Sequence, residues 1–151
     1  MRFIILSILI TILTTCAPLP TAEPTPTAAL PYRITPDENP HEPKPEDAGW
    51  LPSGVTITAT GLSERYDFTP PRAMLSLSGY IPSACHELRI KVNPPDGDFR
   101  IFIEVYSLID PTITCEDVFQ QFETSLLFGT YSTGRYTVWV NEGLVGDFVT
   151  Y

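Results

Sequence analysis

Residues 99–107 read FRIFIEVYS, where Phe99, Ile101, Ile103 and Val105 alternate with Arg100, Phe102, Glu104 and Tyr106. Side chains of a strand point alternately to its two faces, so this period of two predicts a strand with one face in a core. The same alternation recurs on both sides of it. Val55, Ile57 and Ala59 alternate in GVTITAT, Leu75 and Leu77 in AMLSLSGY, and Leu88, Ile90 and Val92 in HELRIKV. Further on, Phe122, Thr124 and Leu126 alternate in QFETSLLF, and Tyr136, Val138 and Val140 in RYTVWVN, while Phe148 anchors a last strand in LVGDFVTY. Pro94-Pro95-Asp96-Gly97-Asp98 and Asn141-Glu142-Gly143 carry turn chemistry between them.

About seven short strands separated by turns predict an all-β fold, an antiparallel β-sandwich of immunoglobulin-like type, over residues 50–151. The segment from Cys115 to Gln121 breaks the alternation and is expected to form one helical turn between two strands.

The chain before residue 50 reads differently. Arg2 and the apolar run Phe3–Leu13 have the composition of a signal peptide, and the run is shorter than the ~20 residues a membrane span needs. Residues 17–49 contain nine of the 16 prolines, and their acids, Glu23, Asp37, Glu38, Glu42, Glu46 and Asp47, outnumber Arg33 and Lys44. Proline fixes φ and removes a donor, so neither helix nor sheet propagates there, and a solvated, semi-extended, disordered Pro/Thr-rich tether is expected. The expected organisation is a signal peptide over 1–15, a tether over 16–49 and a folded domain over 50–151.

The stretch Leu13-Thr14-Thr15-Cys16 resembles a bacterial lipobox. That resemblance implies that Cys16 becomes the N-terminus and carries a lipid, placing the domain on the outer face of a membrane in the cell envelope. Ordinary signal-peptidase cleavage after Ala17 is the competing reading. Ser132–Gly143 resembles the last hairpin of many bacterial immunoglobulin-like domains, which implies that the Tyr136 hydroxyl bonds back to the preceding corner. Gly79–Cys85, with Cys115 and the pair Phe122-Glu123, resembles a domain of bacterial surface lipoproteins without assigned activity; this resemblance covers roughly residues 70–151.

Three cysteines is an odd number for a secreted chain. Processing removes or modifies Cys16, and Cys85 and Cys115 remain as a disulfide pair tying two loops together at one end of the domain. The alternative, a metal site from Cys85, His86, Cys115, Glu116 and Asp117, has ligand types without ligand spacing.

Catalytic motifs are missing: there is no HExxH, GxSxG, SxxK or GxxxxGK[ST]. Asp96-Gly97-Asp98 lacks the rest of a calcium loop. A net charge of −9 argues against nucleic acid as a partner. No enzyme, cofactor or metal is expected. With Ile101, Ile103 and Val105 inward, Phe102 and Tyr106 point outward, as does Trp139 on the RYTVWVN strand. These three are the candidate binding face for a protein or glycan on a monomeric module. Alternatives are that the tether or a loop covers this face and the domain is an envelope spacer, or that end loops inhibit a protease.

Overall fold

All of the FRIFIEVYS stretch but Phe99 lies in the longest strand of its sheet, with two different elements along one of its edges. The structure is a computed structural model and describes residues 38–151; the expected signal segment, Cys16 and the tether as far as residue 37 lie outside the described residues. Eight strands follow a short 3-10 turn, Pro45–Asp47: β1 Leu51–Ser53, β2 Thr56–Arg65, β3 Arg72–Ile81, β4 Glu87–Val92, β5 Arg100–Ile109, β6 Gln120–Leu127, β7 Gly134–Val140 and β8 Gly143–Thr150. They form a sandwich. One sheet has the order β2-β3-β6, and in the other β5 pairs with β1, β4 and β7, while β8 pairs with β7.

Most of the alternating residues meet between the sheets, but Phe99, just before β5 with φ 59°, is 44% exposed, and Ala59, at the irregularity in the β2–β3 ladder, is exposed too. Leu75, Leu77, Ile90, Ile101, Ile103 and Leu126 are almost fully buried. An aromatic group closes one end, with Phe128 and Phe148 stacked at 5.6 Å and Tyr136 against Phe148 at the same distance. Such packing supplies most of the apolar burial that offsets chain entropy in a domain of this size. The Tyr136 hydroxyl donates to the Ser132 carbonyl at 3.0 Å, the corner contact implied by the hairpin resemblance. Between the two sheet edges, β2 and β8 approach closely enough that a Cβ on Gly146 would lie 3.4 Å from Leu62. Gly79 on β3 has no such room: a Cβ there would come within 2.0 Å of the Thr56 carbonyl oxygen, beside the irregularity in the β2–β3 ladder at Ile57 and Ala59.

Four expectations are corrected. There are eight strands rather than about seven, because Leu51–Ser53 forms a short edge piece on β5. The sandwich is mixed rather than antiparallel, since Arg100–Ile103 of β5 runs parallel to Thr137–Val140 of β7. The chain leaves β5, passes through the other sheet as β6 and returns, so its direction reverses twice. Cys115–Gln121 forms no helical turn; it is irregular up to the start of β6, with Cys115 held by its disulfide.

The fourth correction concerns the domain boundary. Residues 38–49, expected at the end of the tether, lie against the sandwich as a strap. Glu38 pairs with Arg72 of β3, the buried Asn39 donates to the Ile90 carbonyl at 2.9 Å, and the His41 carbonyl accepts from the Ile90 N–H at 2.7 Å. Asp47 then grips Arg89 of β4 through two bonds of 2.8 and 2.6 Å. Composition reads this stretch as solvated, yet its polar groups satisfy the open edge of β4, which otherwise leaves backbone donors and acceptors unpaired.

Candidate binding face

β5 and β7 run parallel and in register here, so Phe102 and Trp139 are cross-strand neighbours on the outer face. Their ring centroids lie 6.1 Å apart with planes tilted by 32°. Phe102 remains 37% exposed, and Trp139 is half-buried. The row continues across the sheet. Asn93 flanks Phe102, donating its backbone N–H to the Phe102 carbonyl at 2.9 Å, and the exposed Leu144 of β8 stands opposite Trp139. The result is an apolar strip one side chain wide across β5, β7 and β8.

Polar rows border the strip on both sides. On one side Glu104 Oε1 accepts from Lys91 at 2.8 Å and from Asn93 at 2.9 Å. These bonds hold the Glu104 carboxyl below its usual range, with the Asn93 amide as the largest cause. On the other side Arg100 bonds Asp96 at 2.8 Å and its guanidinium lies 5.7 Å from the Phe102 ring centre, while Arg135 bonds Asp147 at 2.7 Å. The Trp139 indole N–H donates to Thr137 at 3.2 Å. Beside Phe102 a groove of about 420 Å³ is lined by Asn93, Phe102, Ile103, Glu104, Asn141 and Glu142.

The groove's far wall is the β7–β8 turn. Asn141 and Glu142 both have positive φ, 44° and 70°. Two-residue hairpin turns with both φ positive favour Asn-Gly, so Asn141 suits its place and Glu142 stands where glycine is preferred. The Asn141 amide accepts from the Val105 N–H and donates to the Val105 carbonyl, both at 2.8 Å. It thereby continues the β5 ladder across the gap between β7 and β1.

Tyr106 does not join this strip. It lies four residues beyond Phe102 on the same strand, about 13 Å away, opposite Arg89. There the strap covers the sheet: Arg89 is 3% exposed and is also bonded by Glu87 at 2.7 Å. Burial pushes the Tyr106 phenol pKa up. The sequence reading therefore named three residues of which two come together, and the strap takes the third.

Cys85 and Cys115 are bonded to each other, with Cα atoms 6.1 Å apart, joining the β3–β4 loop to the β5–β6 loop. This uses the thiols of the alternative metal set, and among the described residues no group of three His, Cys, Asp or Glu side chains is placed to hold a metal ion. Ser83 Oγ lies 2.8 Å from His86 Nδ1, but Ser83 is 1% exposed and also accepts the Cys85 N–H, so this pair shapes a turn. The Asp96 carboxylate accepts the N–H groups of Asp98 and Arg100, both at 2.9 Å, and so fixes its own loop. Sequence reasoning missed one feature. Phe119, Tyr80 and Thr56 line a smaller apolar hollow on the outer face of the other sheet, and Val118 beside it is exposed. The only signal for it was that Phe119 continues the outward parity of Gln121 and Glu123.

A family model described as the ORF11 β-sandwich domain matches residues 75–150. The chain belongs to the ORF11 β-sandwich domain family. No curated protein and no solved structure matches the chain. The matched range begins inside β3 and ends with β8, so the ORF11 domain takes in Phe102, Trp139, both disulfide cysteines and the strained turn, while the strap and β2 precede it.

Proposed function

We propose that this ORF11 β-sandwich protein is a non-catalytic binding module, carried outside the cytoplasm on a lipid at Cys16, that meets its ligand through Phe102 and Trp139. One observation carries the reading. The strap binds Arg89, opposite Tyr106, away from the row in which Phe102 and Leu144 are exposed and Trp139 is half-buried. Apolar rings on a rigid sheet, bordered by charged groups on both sides, suit recognition.

Acrylamide quenching of the full chain carrying Trp50→Phe tests the open face, because Trp139 is then the one indole left. Strong quenching is expected. Weak quenching returns the spacer reading. The anchor is tested separately: Cys16→Ser is expected to move the protein from the membrane fraction to the soluble fraction, and retention in the membrane fraction refutes the lipid anchor. Among the described residues no helix is long and apolar enough to cross a membrane.

A further inference from the structure

We infer that the ligand of the Phe102–Trp139 strip is a neutral saccharide chain lying across β5, β7 and β8, with Glu142 at the rim of its binding groove; this rests on the open-face reading proposed above. Three observations lead there. The first is size. The apolar row of Phe102, Trp139 and Leu144 is a single side chain wide, with charged and amide groups directly on both sides. A stable protein interface buries about 800 Å² on each partner around an apolar centre, far more than three side chains supply. A pyranose ring presents one flat C–H face and an edge of hydroxyls, which matches a narrow apolar row bordered by hydrogen-bonding groups. Successive rings of a linear chain are spaced comparably to the ~4.8 Å between strands. The groove of about 420 Å³ beside Phe102 lies within the usual range for small-ligand sites.

The second observation is charge. The protein carries −9, and on this face each of these cations is held by an acid: Lys91 by Glu104, Arg100 by Asp96 and Asp98, and Arg135 by Asp147. No surplus of cations is left to select an anionic polymer. Both bonds to Glu104 fall on Oε1, so Oε2 keeps its capacity to accept from a hydroxyl. The third is strain. Glu142 lines the groove at φ 70°, where glycine would be relaxed. Phe99 and Asn141 also have positive φ, but Glu142 is the one carboxylate among these three, and its place on the groove's rim points to a role in that groove.

The experiment uses the full Trp50→Phe chain in a detergent without a sugar headgroup and follows Trp139 emission. Cellohexaose, mannohexaose and fully N-acetylated chitohexaose are the neutral probes, and polygalacturonate is the acidic one. At least one neutral hexasaccharide is expected to give a saturable shift, and polygalacturonate none. Phe102→Ala is expected to weaken binding at least tenfold. Glu142→Gly is expected to raise the melting temperature and weaken binding at the same time.

If acrylamide quenches Trp139 but no neutral probe shifts it, or polygalacturonate shifts it equally, the ligand class is overturned while the open-face reading stands. A shift given instead by an added protein partner has the same meaning. If acrylamide does not reach Trp139, both fall. A Glu142→Gly chain that melts higher and binds unchanged removes Glu142 from the site.

Discussion

Asn141 shows how one side chain holds a sheet together where the strands do not. Its amide gives Val105 both a donor and an acceptor, so β5 is bonded without interruption from β7 to β1. Removing it leaves a backbone N–H and a carbonyl of a buried residue without partners, and places a Cβ-bearing residue at positive φ with no polar side chain to support it. Asn141→Ala is expected to lower stability by about 3 kcal/mol, measured by urea unfolding, and to speed hydrogen exchange at the Val105 amide. Asn141→Asp should not restore it, because a carboxylate can accept from the N–H but sets a second acceptor against the carbonyl. The sequence marks Asn141-Glu142-Gly143 as a turn. It gives no sign that the asparagine reaches a strand 36 residues earlier.

At the scale of elements, the strap is the part most at odds with its composition. Its hold depends on protonation at two places. The His41 pKa lies below its ordinary value of 6.5, first because the ring is partly buried and next because Arg89 and Lys44 repel its proton; a bond to the Leu88 backbone opposes this. The Asp47 pKa is held below 3.8, first by the bond from Arg89 and also by the Lys44 N–H. A group whose folded pKa is lowered stabilises the fold above its unfolded pKa, and that contribution is lost as pH falls toward the folded value. Docking of the strap is therefore expected to be constant above pH 6.5, to weaken below it as His41 resists protonation, and to weaken again below 3.8 as Asp47 takes up protons. Amide exchange at Ile90, whose N–H bonds the strap, reports this directly. Asp47→Ala leaves Arg89 buried with Glu87 as its remaining carboxylate. It is expected to cost about 3 kcal/mol and to abolish the lower of the two steps while keeping the upper one.

At the scale of the whole molecule, the disulfide joins the two loops at one end of the sandwich across a separation of 30 residues. Closing a loop of that length stabilises the fold by about 3–4 kcal/mol in the chain-entropy view. Reduction is expected to lower the urea midpoint by a corresponding amount and to free the segment from Asp110 to Phe119, which has no ladder bonds of its own. Alkylation without reductant should label neither Cys85 nor Cys115. The strap fastens another part of the same molecule, running from Arg72 in one sheet to Ile90 and Arg89 in the other. The β2–β8 approach joins the two sheets directly. These fastenings lie away from the row of Phe102 and Trp139, where Phe102 is exposed and Trp139 half-buried.

The strands, the buried set and the cysteine pairing were legible because each follows from local regularity or from parity. A period of two assigns Ile101, Ile103 and Val105 to a core without reference to any partner, and setting Cys16 apart with the lipobox-like stretch leaves Cys85 and Cys115 to pair. Strand partners are a different matter. Whether β5 meets β7 parallel, whether Phe102 faces Trp139 or Tyr106 shares their row, and whether a proline-rich segment stays in water depend on which unsatisfied backbone edge lies within reach once the sheets have packed. The alternation of residues 99–107 by itself determined a strand with one face in a core and aromatic residues on the other, and its recurrence along the chain determined a sandwich. Only the tertiary structure decided which of them share a row, because the parallel register sets Phe102 beside Trp139, while Tyr106 stands opposite the Arg89 that Asp47 holds.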